Sequence, residues 1–339
     1  MKPITTLITA GALSFAVVSA NAAEKVKMAT IAPGTSAYLT MTTFANIVNQ
    51  NQKDYEFTVD ATGAATKHII EVARGKLDYA MSSPTIHFFL KNGKAMYKKL
   101  KDAPKLADKL SLVMWFPYGQ YHFIVHEDSG IKTLGDLKGK KVFLGPPGGG
   151  AWNAAYSWMK FVGGLDAKKG DFEGVKASWS SAFQGFQDRQ FDAYVNGGIA
   201  PFPQVEQLSL TSEIRLLGVD KKTYEGNPAA KKYMTGIPGR DLGVIKQGTY
   251  GKNVKMDHDI YTNGATVGIT VRKDMSEEQV YQVTKAFWDN VAEARKSAPW
   301  MNNITMEYAI KEGGLALHPG AQRYYKEIGA KIPAGSMAK

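Results

Sequence analysis

Two stretches of this chain share one design. Residues 60–84 read DATGAATKHIIEVARGKLDYAMSSP, and residues 176–201 read KASWSSAFQGFQDRQFDAYVNGGIAP. Each runs from a small-residue loop through a helical segment and a polar turn to an Asp and a short strand. Asp78 and Asp192 hold matching places, and each strand breaks into a loop of Ser, Asn, Gly and Pro. A further strand, loop and helix precede each copy: KVKMATIAPGTSAYLTMTTFANIV and KKVFLGPPGGGAWNAAYSWMKF. A chain built this way is expected to form two α/β lobes of similar design. Ligands of open α/β sheets bind beyond the carboxyl ends of the strands. Two such ends facing each other define a cleft for a small molecule.

The start of the chain reads as an export signal. Lys2 supplies charge, residues 7–18 (LITAGALSFAVV) an apolar run, and Ala20-Asn21-Ala22 a small-residue cleavage site. The apolar run is shorter than the roughly 20 residues a membrane span needs. Residues 1–22 are therefore expected to be a signal peptide cleaved near Ala22, with the mature protein in the periplasm. Removing 22 of 339 residues leaves 317, enough for two lobes. With no cysteine anywhere, disulfides, Cys-ligated zinc, iron–sulfur clusters and thiol chemistry are excluded. The net charge of +11 is spread over dispersed lysines with Asp and Glu between them. No dense arginine stripe marks a nucleic-acid surface. A basic surface still favours anionic solutes through long-range steering.

The expected order of elements begins with a strand at 26–31, a helix at 38–50, a strand at 55–62, a helix at 66–74 and a strand at 77–83. A basic segment at 91–110 reads as helical and exposed. Apolar strands at 110–116 and 121–127 are expected on either side of a turn at Pro117-Tyr118-Gly119. The second lobe opens with a strand at 140–145, a glycine loop and a helix from about 152. Strand 172–179, helix 182–189 and strand 191–198 follow, then a short helix at 201–211 and a strand at 214–219. Residues 220–262 carry the weakest pattern. A strand at 266–275 is expected to lie in a hinge sheet, ahead of helices at 277–298 and 303–312. The expected division is 23–125 for the first part of lobe 1, 126–262 for lobe 2, and 263–339 for the return to lobe 1.

Candidate ligand contacts lie in the strand-end loops. Thr35 and Ser36 sit where a strand ends and a helix starts; they either cap that helix or also meet a bound anion. Thr62, Gly63 and Ala64 form the equivalent turn after the second strand, and Ser82 and Ser83 end the third. In the loop Gly145–Gly150, Gly148, Gly149 and Gly150 allow backbone to approach a bound group closely, with Trp152 and Asn153 behind them. This loop is neither a Walker motif nor a dinucleotide fingerprint. Across the cleft stand Asn196, Gly197 and Phe202, and Tyr118 comes from the crossover. Trp179, Phe183 and Phe186 read as a buried aromatic face, and Asp78 and Asp192 as organisers of turns. Ser, Thr, Asn and backbone donors suit a small anion. No arginine stands out near the loops, since Arg74 and Arg189 occupy matching, exposed helix ends. A monocarboxylate, a dicarboxylate, an acidic amino acid and an uncharged polar solute all remain open.

An enzyme needs a working constellation, and the residues supply none. The six histidines include His122 and His126, four apart in a segment that reads as strand, where they stand far apart. There is no H-E-x-x-H and no G-x-S-x-G, and His318 sits in a turn that locks the last helix. Neither a cofactor nor a metal is expected. An exported hydrolase and an adhesive surface protein are the other classes weighed; repeats or low complexity beyond the paired lobes are missing for the latter.

Four stretches carry a resemblance across nearly the whole mature chain: KMATIAPGTSAY, ATGAATKHIIEVARGKLDYAMSS, GIKTLGDLKGKKVFLGPPGGG and LALHPGAQRYYKEIG. They resemble the TAXI family, periplasmic solute receptors of TRAP transporters, and the terminal HPGA…YY…E pattern is the most specific. The resemblance implies an α/β, two-lobed periplasmic binding protein fold of type II, with a cleft between lobes joined by hinge strands. It implies a monomeric receptor that delivers an organic acid or amino acid to a TRAP membrane permease. A receptor for an ATP-driven importer or a sensor is the alternative. The chain departs from the family at candidate ligand positions: Gly148–Gly150 replace a Ser-containing loop, Ser83 and Thr85 stand where Gln and Asp are common, and Ala65 and His68 where Ser and Asn are common.

Overall fold

The computed structural model describes residues 22–297 and 299–338, so the leader sequence up to Asn21 lies outside the described residues. Eleven strands form one sheet: β1 (Glu24–Ala29), β2 (Tyr55–Asp60), β3 (Tyr79–Ser82), β4 (Leu110–His126), β5 (Lys141–Phe143), β6 (Glu173–Gly174), β7 (Ala193–Gly198), β8 (Ile214–Leu217), β9 (Arg240–Ile245), β10 (Val254–Lys255) and β11 (Ile260–Arg272). Between and after them run α1 (Ser36–Asn51), α2 (Ala65–Ala73), α3 (Pro84–Lys91), α4 (Ala103–Ala107), α5 (Gly150–Phe161) and α6 (Trp179–Gln187). The remaining helices are α7 (Pro203–Ser209), α8 (Lys221–Glu225), α9 (Pro228–Thr235), α10 (Glu277–Ser297), α11 (Met306–Ile310) and α12 (Pro319–Glu327).

The sheet order is β2-β1-β3-β11-β4-β7-β5-β6, with β8 beside β4 and β9 beside β11. Its two ends are parallel triplets of the same topology. In each, the first strand lies between the second and the third: β2-β1-β3 and β6-β5-β7. The long antiparallel strands β4 and β11 join them. The duplication reaches single hydrogen bonds. The Asp78 carboxylate accepts from Lys27 N–H at 2.8 Å, and the Asp192 carboxylate from Lys141 N–H at 2.8 Å. Each Asp thus ties the start of a third strand to the first strand of its triplet, as the matched places of the two residues suggested.

The expected turn at 117–119 does not form, because β4 runs unbroken through it. β4 pairs with β11 from Leu110 to Pro117 and with β7 from Gln120 to Val125. Pro117, which lacks an N–H, sits where the strand changes partner, so little ladder is lost. Gly119 has φ +101, and a Cβ there would lie 2.1 Å from the Gly198 carbonyl carbon. Close backbone approach, not a reversal, explains the glycine. The basic segment 91–110 is also corrected. It holds a short 3-10 turn at Ala95–Tyr97 and α4, and buries Tyr97, Ala103 and Leu106. Its lysines face solvent around an apolar stripe, which an exposed helix lacks. β11 starts six residues before the expected strand, because β9, in the weakly patterned region, gives residues 260–265 a partner.

Two apolar clusters underlie the sheet. The larger packs α1, α10 and α12 against β1, β3, β4 and β11, with Phe44, Trp115, Phe287 and Tyr325 fully buried. The smaller packs Phe143, Phe186 and Tyr194 with Phe202 beside β7 and β8. The architecture is an α/β fold in which two parallel triplets are joined by long antiparallel strands.

Candidate ligand-binding site

A cavity of about 120 Å³ lies where the strand-end loops of the two triplets meet the crossing strands. From the first triplet come Ile31, Gly63, Ala64, Met81 and Ser83; from the second, Pro146, Gly149, Gly150 and Trp179. β4 contributes Tyr118 and Tyr121, and β11 the run Gly264–Val267. Contacts between the two sets of loops close over it. Thr66 Oγ1 donates to the Gly148 carbonyl at 3.4 Å, Thr85 Oγ1 to the Pro238 carbonyl at 2.6 Å, and Ile199 N–H to Ser36 Oγ at 3.2 Å.

Two helices point bare N-termini at this space. α1, α3, α6, α9 and α12 each have an N-cap side chain that accepts a backbone N–H. α2 and α5 have none: their N-caps are Ala64 and Gly149, and both residues line the cavity. The first N–H groups of a helix lack intrahelical partners and carry the positive end of its dipole. The second helix of one triplet and the first helix of the other therefore present unpaired donors to one space.

Arg240 completes the positive character. It begins β9, lines the cavity, and is the only charged residue in the lining. Its guanidinium lies 3.8 Å from the Tyr233 ring centroid and donates one N–H to the Tyr233 carbonyl. Among the described residues no carboxylate pairs with it, and its neighbour Asp241 is engaged by Thr266, Tyr308 and Lys311. Burial draws the guanidinium below its ordinary value, yet an arginine stays protonated in a protein. A half-buried cation with free donors and no counter-ion is suited to a planar anion.

The predicted residues divide between cavity and framework. Gly63, Ala64 and Ser83 line the cavity on one side, and Gly149, Gly150 and Asn153 on the other, with Tyr118 from β4. Thr35 is fully buried and caps α1, accepting from Tyr38 N–H at 3.1 Å. Ser36 is held by Ile199, Thr62 is exposed beside Asp60, and Ser82 is buried with its hydroxyl unpartnered. Gly148 lies outside the lining, and Trp152 stacks on Tyr156 at 4.8 Å. Asn196 is satisfied within the framework by Gln204, Tyr118 and its neighbour Gly197. A Cβ on Gly197 would meet the Tyr118 ring at 2.1 Å, and Phe202 packs on His122 in the smaller core. Asn196, Gly197 and Phe202 thus shape the wall behind Tyr118.

Sequence reading passed over Arg240, Tyr233 and Thr266. Arg240 sits in the weakly patterned region, and only the turn glycine before it, Gly239 at φ +81, marked the place. Arg74 and Arg189 are exposed as expected and paired with Asp102 and Asp128. The histidines are structural. His122 meets the Tyr250 hydroxyl at 2.7 Å, His126 stacks on Phe186, and His318 Nδ1 caps α12 by accepting from Gly320 N–H. Among the described residues no cluster of three or more His, Asp or Glu could hold a metal ion.

Residues 28–329 match the NMT1-like family. The alkanesulfonate-binding protein SsuA of Xanthomonas axonopodis pv. citri, bound to MOPS, is similar at 15% identity and a TM-score of 0.47, over 91% of this chain and 85% of that one. A TRAP periplasmic solute-binding protein of Chromohalobacter salexigens with bound d-glucuronate is similar at 12% identity and a TM-score of 0.46, over 91% and 87%. A TRAP periplasmic solute-binding protein of Desulfovibrio salexigens, in complex with diglycerolphosphate, is similar at 12% identity and a TM-score of 0.44, over 93% of each chain. At these scores the likeness is one of outline, and the bound molecules are properties of those proteins. The family match spans nearly all of the described chain, and the chain belongs to the NMT1-like family, the TAXI-type periplasmic solute-binding proteins.

Proposed function

We propose that this protein is the extracytoplasmic receptor of a TRAP transporter, exported with cleavage near Ala22, acting as a monomer. Residues 23–125 with 263–339 form one lobe and 126–262 the other. The lobes close on a small organic anion through β4 and β11, and the closed form docks to the membrane permease. The observation that carries this reading is the placement of Arg240, without a carboxylate partner, in one cavity with the bare ends of α2 and α5. An anion gains there what water otherwise supplies: charge-assisted hydrogen bonds from a fork of N–H groups and from helix ends. The loop-to-loop contacts of Ser36 and Thr85 require closed lobes, so ligand affinity and permease docking are coupled through one equilibrium. A thermal-shift screen of organic acids, amino acids, sugars and metal ions tests the ligand class, because a ligand that prefers the folded state raises the apparent Tm. Hits confined to organic anions are expected, and hits confined to sugars or metals refute the anion. Uptake of the hit by vesicles holding the adjacent multi-span permease, driven by an ion gradient without ATP, is expected. Uptake that needs ATP assigns the receptor to an ATP-driven importer instead.

A further inference from the structure

Resting on that reading, the lining narrows the ligand. Apart from Arg240 it holds no Lys, His, Asp or Glu. Much of it is apolar, with Ile31, Met81, Ile86, Phe89, Met96 and Val267 facing the space. Its polar side chains are largely engaged by the protein itself. Ser83 caps α3, Thr85 bonds the Pro238 carbonyl, Asn153 the Gly149 carbonyl, Thr266 the Asp241 carboxylate, and the Tyr118 hydroxyl Asn196. The Tyr233 hydroxyl donates to the Ala154 carbonyl at 3.2 Å.

We infer that the solute is a small monocarboxylate with an aromatic or branched aliphatic body, its carboxylate on Arg240 and its body against the apolar wall. Three comparisons of magnitude select this class. A sugar acid brings several hydroxyls, and each one buried without a partner loses its hydration uncompensated. The engaged side chains leave few partners for them. An α-amino acid brings an ammonium into a lining with no carboxylate, and an unpaired buried charge costs several kcal/mol. A dicarboxylate needs a second counter-charge. The ends of α2 and α5 supply only partial charges, which offset less than is lost on burying the second carboxylate. Size bounds the choice. An apolar cavity of roughly 150 Å³ accepts benzene, and this one is about 120 Å³, so the body is small.

The test is calorimetric titration of the purified protein with benzoate, phenylacetate and isovalerate, beside succinate, glutamate and glucuronate, and with benzamide as a neutral match for benzoate. At least one of the three monocarboxylates is expected to bind more tightly than all of the second group. Benzoate is expected to exceed benzamide by tenfold or more. Arg240→Gln should remove that advantage, weakening benzoate at least tenfold more than benzamide; the benzoate–benzamide comparison in the unaltered protein stands even if the variant folds poorly. Tightest binding by succinate, glutamate or glucuronate overturns the monocarboxylate but leaves an anion receptor in place. Equal binding of benzoate and benzamide overturns the Arg240 anchor. Binding of no organic anion in the panel overturns this inference together with the anion-receptor reading.

Discussion

His87 and His122 are buried without ion-pair partners, and each leaves Nδ1 without a hydrogen bond. Burial holds His87 down at about 4, with Lys91 adding to it, and His122 at about 3, against an ordinary 6.5. Both stay neutral in the folded protein to far lower pH than in the unfolded chain. Below pH 6.5 the unfolded state binds protons that the folded state refuses, so stability falls as pH falls. The loss approaches about 1.4 kcal/mol per pH unit per histidine and ends near the folded values. Urea midpoints taken from pH 7 to pH 4 should show this slope, and His87→Gln should flatten it; an unchanged slope in the variant excludes His87. The matched aspartates give a second expectation at this scale. Asp78→Ala and Asp192→Ala each remove a carboxylate from a backbone N–H, at a cost of about 1 kcal/mol each. Being in separate triplets, the two losses should add in the double variant. Urea denaturation of the four proteins checks it, and strong non-additivity argues that the triplets are coupled through these bonds.

At the scale of elements, α2 and α5 differ from their neighbours in lacking caps while lining the cavity. α1, α3, α6, α9 and α12 are closed by Thr35, Ser83, Ser178, Asn227 and His318, and the N-caps of the uncapped α4 and α7 lie outside the cavity lining. On the proposed function, the bare ends trade stability for binding. Ala64 has the extended backbone of an N-cap, φ −136 and ψ 138. Ala64→Asp is expected to stabilise the fold by about 1 kcal/mol and, by bringing a negative charge to the cavity, to weaken anion binding at least tenfold. Thermal denaturation and titration read the two effects separately. A variant that gains stability and keeps its affinity disproves the role given to the α2 end. The loops ahead of α2 and α5 were legible in the sequence as candidate ligand loops. That both helix starts are bare and open on one cavity was not, because helix direction follows from the sheet.

The whole molecule consists of two triplets joined by β4 and β11, with the cavity among their loops. Closure by rotation about these strands predicts a smaller radius of gyration when a saturating ligand is added, measured by small-angle scattering. Gly149 has φ −76, which any residue adopts, and a Cβ there would lie 3.1 Å from the Pro146 carbonyl oxygen, so a side chain needs only a small shift of that loop before it enters the cavity. Gly149→Trp is expected to retain the fold, lower affinity at least tenfold and abolish the compaction. Compaction equal to that of the unaltered protein would falsify the requirement for close approach at Gly149.

The sequence determined the duplicated α/β design, the loops that reach the cavity, and the aspartates that tie each triplet. These follow from short-range pattern: apolar period, glycine turns, and an Asp placed just ahead of a strand. It also carried the family, through the motif around His318, which closes the last helix at its N-cap. The tertiary structure decided where β4 and β11 run, because strand pairing makes Pro117 and Gly119 parts of one strand instead of a turn. It decided too that Asn196 and Phe202 stand behind the wall while Arg240 stands in it. Arg240 follows Gly149 by 91 positions, and nothing local marks its side chain as binding. Only the pairing of β9 with β11 brings that cation beside the glycine loop, and charge acts through space, not along the chain.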